Sequence, residues 1–254
     1  MEYVPIVPLG AESLLTHPGV KRIFCFADLL ETNKRYQEFY SESKQEVLLD
    51  HPIYELMPAL DLFQTLALIQ TYQPHITTIP DKHEDYTATT KMFYQYAPAM
   101  YEVTRGTRTR LMGVPQGTTY EMILANALLM LDTGQVDILG IGIKRSIPDL
   151  KRSQLVKDIS RLYPKMRYHL LGARWPYHDE QLMAHDERVE SCDTAEPVNA
   201  ALNGVKFLDA GPEDVRRATN FQTLGLKALE GAPLVWSNIS MMLQILRGNV
   251  ILGV

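Results

Sequence analysis

Three aspartates stand where short apolar runs stop: Asp28 after Lys21-Arg-Ile-Phe-Cys-Phe-Ala27, Asp81 after His75-Ile-Thr-Thr-Ile-Pro80, and Asp193 after Arg188-Val-Glu-Ser-Cys192. Each run has the period of a strand, so each acid is expected as the last residue of its strand. Taken singly, an acid there is equally well explained as the N-cap of the next helix. Taken together, three acids on one rim point to a site. Gln116 closes the run from Arg110, Gly142 with Ile143 and Lys144 closes the run from Val136, and Arg174 lies just past the run from Arg167 to Ala173. Two carboxylates around one cavity suit glycosidic chemistry, where one attacks or stabilises the anomeric carbon and the other moves the proton. Unlike surroundings separate their proton affinities. A third carboxylate beside Gln116, with main-chain amides near Gly142 and Ile143, suits a planar heterocycle carrying donors and acceptors on its edge. Gly142 lets a ligand approach the backbone, since it has no Cβ. Lys144 reads either as a surface lysine at a loop start or, with Arg145 and Arg174, as a phosphate contact on the rim.

These positions need a scaffold that brings strand ends to one side. Strand patterns cover Tyr3–Pro8, Lys21–Asp28, His75–Asp81, Arg110–Gln116, Val136–Lys144, Arg167–Ala173, Arg188–Asp193 and Gly204–Phe207, with helical patterns between them. Thr118 and Glu121 form a capping box, Gly134 ends the helix behind it, and Ser146 with Pro148 precedes a stripe of Leu150, Leu155, Val156, Ile159 and Leu162. The stretch from Glu31 to Gln73 is too long for a simple crossover and is expected as an insertion after the second strand, with its own helix near Asp61–Thr71. Extra helices over Glu213–Glu230 and Leu234–Leu246 follow the last strand. Eight strands alternating with helices predict an α/β fold, a single (β/α)8 TIM barrel over residues 1–254; a doubly wound open sheet is the alternative.

Composition narrows the function classes. The 254 residues carry a formal net charge of -5, so no global basic field draws the chain to nucleic acid, and a polynucleotide would need a local patch. The cluster at Arg105, Arg108 and Arg110 precedes a strand and is expected on the far face. Cys25 and Cys192 are too few for a disulfide framework and are expected as reduced core thiols. His178 and His185 lie seven apart with no evident third ligand, so no metal is expected, and His169 among apolar neighbours reads as a core histidine. No apolar run approaches the roughly 20 residues of a membrane span. With no secretory pattern at Met-Glu-Tyr-Val-Pro, a cytoplasmic protein without membrane contact is expected.

From Arg110 to Pro197 four motifs occur in order. Met-Gly-Val-Pro-Gln-Gly at 112–117 looks like the GIVQG motif of the tRNA-guanine transglycosylase (queuine tRNA-ribosyltransferase) family, and Val-Asp-Ile-Leu-Gly-Ile-Gly-Ile at 136–143 resembles its FDGYAVGG. Met-Arg-Tyr-His-Leu-Leu-Gly-Ala at 166–173 is similar to PRYLMGVG, and Glu-Ser-Cys-Asp-Thr-Ala-Glu-Pro at 190–197 to DMFDCVMP. The resemblance implies a barrel enzyme that exchanges guanine for a 7-deazaguanine through a covalent intermediate. Asp193 would be the nucleophile and Asp28 the general acid/base, with Asp81, Gln116 and the amides at Gly142 and Ile143 reading the base. Lys144 and Arg174 would line the rim, and no cofactor is implied. The family's zinc site, three cysteines and a histidine after the nucleophile, and the insert that carries it are missing here. That departure resembles compact, phage-type members thought to modify DNA, so DNA is the expected polynucleotide and tRNA the second choice; the oligomeric state stays open. Two other readings stand beside this one: a different barrel enzyme using Lys144 as a Schiff-base lysine, and a non-catalytic transglycosylase-like partner subunit.

Overall fold

The computed structural model describes residues 1–51, 60–144, 146–147, 150–173, 177–211, 213–215 and 230–247. Its strands are β1 (Glu2–Pro5), β2 (Arg22–Phe26), β3 (Glu46–Asp50), β4 (Ile76–Thr78), β5 (Arg110–Gly113), β6 (Ile138–Gly142), β7 (Arg167–Leu171) and β8 (Val189–Thr194). They follow the hydrogen-bonded order β1-β8-β7-β6-β5-β4-β3-β2, and helices alternate with them along the chain. Parallel pairing is seen for β1 with β8 and along β3, β4, β5 and β6. This is the (β/α)8 class of the TIM barrel. By its contacts the chain divides into two compact units, Cys25–His169 and Met1–Phe24 with Leu170–Val254.

In the unit Cys25–His169, α1 (Ala27–Thr32) and α2 (Lys34–Glu42) follow β2, and α3 (Leu62–Tyr72) follows β3. Next come α4 (Tyr86–Thr104), α5 (Tyr120–Asp132) and α6 (Arg152–Leu162), one after each of β4, β5 and β6. The strand residues Leu48, Leu49, Ile76, Leu111, Met112, Ile138 and Leu139 are buried, as strands of a parallel sheet covered by helices must be. The α6 stripe is buried at Leu155, Val156 and Ile159, while Leu162 is 65% exposed at its end. Gly134 takes a positive φ of 67° just after α5 and so ends it, as expected. Helix α3 begins as the sequence predicts: Asp61 Oδ1 accepts from the Gln64 amide at 2.9 Å while Gln64 Oε1 accepts from the Asp61 amide at 3.0 Å. Asp61→Ala removes one side of this reciprocal cap and is expected to destabilise the protein by about 1 kcal/mol in urea unfolding.

In the other unit, α7 (His178–Met183) precedes β8, and α8 (Glu196–Leu202) and the C-terminal helix α9 (Ala232–Leu246) follow it. Helix α9 packs on α8 and β1 through a buried face of Val235, Ile239, Met242 and Leu246. Asn238 sits on that face and is fully used. It accepts from the Phe207 amide at 3.0 Å and donates to the carbonyls of Pro197 and Val205, each at 3.1 Å.

Several local expectations are corrected. Residues 204–207 form no strand; Phe207–Asp209 is a 3₁₀ turn, held by Asn238 rather than by a ladder. The eighth strand is instead β3, inside the stretch expected as an insertion, so that stretch is an ordinary part of the alternation. Helix α5 is capped by Thr119, one residue later than expected, with its hydroxyl accepting from the Met122 amide at 3.2 Å. Strand ends also shift. Asp28 is the second residue of α1 and Asp81 lies three residues past β4, whereas Asp193 is inside β8. Most of the helical pattern over 213–230 lies outside the described residues. Among those described, no helix is long and apolar enough to cross a membrane.

Candidate functional site

Within the unit Cys25–His169, three of the expected residues meet. Gln116, in the turn after β5, donates through Nε2 to Asp81 Oδ2 at 2.5 Å, and its Oε1 accepts from Lys144 Nζ. The same Oε1 accepts from the Glu84 amide at 2.9 Å. Gln116 and Lys144 are each 2% exposed, and Asp81 is half-buried. Lys144 is therefore no surface lysine. Gly142, the last residue of β6, is buried and Ile143 is half-buried, which places two consecutive main-chain units just before Lys144.

Burial and charge act against each other here. Loss of solvent pushes the Asp81 carboxyl up to about 6, although the Lys144 ammonium and the Gln116 amide both favour its ionised form. Loss of solvent also pulls Lys144 down to about 8, although Asp81 and Glu84 favour its charge. Asp81 is then a carboxylate and Lys144 an ammonium only between roughly pH 6 and pH 8. Opposed burial and charge of this kind is how catalytic and binding sites tune proton affinity, and structural ion pairs use it as well.

The sequence reading missed the groups that hold Gln116 in place. Asn126, on the buried face of α5, accepts from the Gln116 amide at 2.9 Å and donates to Thr90 Oγ1 at 3.0 Å. Its signal was a polar residue inside the apolar stripe of Ile123, Ala127 and Met130. Gly117 allows the turn to lie on that helix, since a Cβ there would sit 2.7 Å from Met122 Cβ. Glu84 has φ 56°, a left-handed conformation that costs a non-glycine residue about 1 kcal/mol or more. It is held there because its amide faces Gln116 and its Oε1 accepts from the Ser146 amide at 3.0 Å. Asp137, part of the second motif, is structural: its Oδ2 accepts from the Leu111 amide at 2.9 Å.

Asp28 belongs to the same unit but makes no hydrogen bond to this cluster. Its side chain reaches the amides of the first turn of α1, its Oδ1 is buried without a partner, and burial raises its proton affinity. His51, immediately after β3 and 5% exposed, was not anticipated because the strand before it was not. Its amide donates to Thr78 Oγ1 at 2.7 Å and its Nε2 pairs with Thr77 Oγ1 at 3.1 Å, while Nδ1 has no partner.

Within the other unit, Asp193 is 4% exposed and its Oδ1 accepts from the Gly172 amide at 3.1 Å. Gly172 has φ 70°, the turn that presents this amide just past β7, and the next amide, Ala173, donates to the Asp193 carbonyl at 2.7 Å. Tyr3 donates to the Thr194 carbonyl at 2.9 Å, and Tyr177 donates to Glu196 at the start of α8. Burial and the neighbouring carboxylates hold both phenols protonated. Arg174 lies outside the described residues. Cys25 and Cys192 are buried and form no disulfide, as expected, and His169 is buried in the core.

The open hydrogen-bonding functions define what the first cluster can do. Gln116 Nε2 has a second hydrogen not used by Asp81, and Asp81 Oδ1 accepts no hydrogen bond from any described residue. A donor and an acceptor side by side match the edge of a heterocyclic base that offers a carbonyl or ring nitrogen next to an N–H. No protein-family model matches the chain, and no curated protein matches it either, so the chemistry of these residues carries the functional argument.

Proposed function

We propose that this chain is a transglycosylase that replaces guanine in a polynucleotide, preferentially DNA, with a 7-deazaguanine. The observation that supports this most is the open donor and acceptor of Gln116 and Asp81, backed by a buried lysine. An ionised Asp81 accepts from the N–H groups of a guanine-type edge, and the free Gln116 hydrogen donates to an adjacent acceptor. Bases lacking those groups would leave buried polar atoms unpaired, which is a strong basis for rejection. Amides at Gly142 and Ile143 extend the array.

The reaction assigned to the aspartates is a double displacement. A carboxylate oxygen of Asp193 bonds to C1′ as the C1′–N9 bond breaks, and the electron pair leaves with guanine, which takes a proton from Asp28. The incoming 7-deazaguanine then gives its proton to Asp28, bonds to C1′ and releases Asp193. The raised proton affinity of Asp28 suits a group that must be protonated in one half-reaction and ionised in the other. Because C1′ and the base edge are not accessible in a stacked duplex, the target nucleotide is flipped out or single-stranded.

The test offers duplex DNA, single-stranded DNA and tRNA in parallel and follows release of labelled guanine against pH. The expected result is exchange on DNA, with a rate that falls tenfold per unit as pH drops below about 6, where Asp81 gains its proton. Above about 8 the decline is shallow, since a neutral Lys144 amine still donates to Gln116. No exchange on any of the three polymers would remove this assignment.

One observation favours a second reading. Lys144 is pulled down to about 8, as a Schiff-base lysine would be. Borohydride trapping of a carbonyl compound on Lys144 would support that reading, whereas intact exchange with no trapping supports the first.

A further inference from the structure

Among the described residues, four buried side-chain polar atoms lack a hydrogen-bond partner, and two of them lie just past neighbouring strands: Asp28 Oδ1 two residues after β2 and His51 Nδ1 immediately after β3. Strand β3 lies between β2, whose helix carries Asp28, and β4, whose following loop carries Asp81. His51 thus stands in chain order and in strand order between the group assigned to the proton and the group assigned to the base edge. Its ring is fixed: Thr77 Oγ1 meets Nε2 at 3.1 Å, and the His51 amide is tied to Thr78 Oγ1 at 2.7 Å. A buried imidazole with one nitrogen satisfied and the other not carries a desolvation penalty that a single hydrogen bond would cancel.

We infer that His51 is a specificity-determining residue of the proposed exchange reaction, with Nδ1 forming a hydrogen bond to the bound guanine or 7-deazaguanine. The inference rests on the transglycosylase reading. Burial pulls the imidazole down to about 4, so the ring is neutral and offers one fixed donor or acceptor rather than a charge. Which of the two Nδ1 offers follows from Thr77: if Nε2–H donates to the hydroxyl, Nδ1 accepts, and if the hydroxyl donates, Nδ1–H donates. The ring is closed off from solvent, as Gln116 and Lys144 are, so Nδ1 stays unpaired until a ligand group reaches it.

Two conservative variants separate a ligand contact from a structural one. His51→Gln places an amide where Nε2 was, keeping the Thr77 partner and deleting the Nδ1 function. His51→Asn does the reverse. Binding of free guanine by calorimetry and thermal melting are measured for both, beside wild type and Asp81→Asn. The expected result is guanine affinity about tenfold weaker in His51→Gln, matching loss of one hydrogen bond, with a melting temperature at or above wild type. His51→Asn is expected to bind within about threefold of wild type and to melt lower, having lost Thr77. Guanine binding that Asp81→Asn weakens but His51→Gln leaves unchanged overturns the assignment of His51 and keeps the transglycosylase reading. No guanine binding by wild type overturns both.

Discussion

Asp193→Asn is expected to slow guanine release by about a thousandfold or more and to abolish the covalent protein–polynucleotide adduct, the size of loss seen when a covalent nucleophile is removed. Asparagine is the informative replacement because it keeps an oxygen for the Gly172 amide, which meets Asp193 Oδ1 at 3.1 Å. The backbone turn at Gly172, with φ 70°, then has no reason to move. A variant that melts like wild type yet releases no guanine locates the defect in chemistry rather than folding. Denaturing electrophoresis of the enzyme with labelled DNA reads the adduct directly. An unchanged rate in Asp193→Asn would remove Asp193 as the nucleophile, whereas no release by wild type would favour the reading in which the chain is a non-catalytic partner.

Lys144→Met is expected to change stability in opposite directions at two pH values. In the folded wild type Asp81 is raised from 3.8 to about 6, so its contribution to stability is present below the unfolded value and is lost as pH rises through 6. Lys144 is lowered from 10.5 to about 8, so its contribution is present above the unfolded value and is lost as pH falls through 8. Methionine removes the second cost and worsens the first, because Asp81 loses the cation that favours its ionised form. At pH 5 the variant should match or exceed wild type in urea unfolding. At pH 8 it should be weaker by on the order of 3 kcal/mol, the scale of leaving one buried charge unpaired. Asp81→Asn in the same chain should restore the pH 8 value, since no charge is then left behind. Guanine binding at pH 7 should fall at least tenfold in Lys144→Met, because a protonated Asp81 has lost the carboxylate that accepts from the base. Stability curves that stay parallel at both pH values would show that Lys144 and Asp81 do not interact.

Alternation of strand and helix was legible because its physical basis is local: apolar runs of strand length, an apolar stripe at helical spacing in α6, and a glycine with φ 67° after α5. The (β/α)8 class followed from those signals. Strand β3 was not legible, since Glu-Val-Leu-Leu-Asp at 46–50 is short and flanked by polar residues, and only pairing with β4 selects a strand there. Residues 204–207 show the converse, a pattern compatible with a strand that Asn238 holds as a turn.

For the candidate site, residue types at the strand ends were readable, and Asp81, Gln116 and Lys144 do come together. What the one-dimensional sequence could not hold was environment. Lys144 read either as a loop-start surface lysine or as a phosphate contact on the rim, and burial beside Asp81 made it an internal cation drawn to about 8. Asn126, Glu84 and His51 entered only through contacts 10 to 32 residues away in the chain, with Gln116 or with β4. Sequence by itself determined the order of elements and the chemical groups available, because periodicity and capping act over a few neighbouring residues. Tertiary structure decided which groups lose water and which are left without a partner, because desolvation and hydrogen-bond satisfaction depend on atoms that only folding brings near.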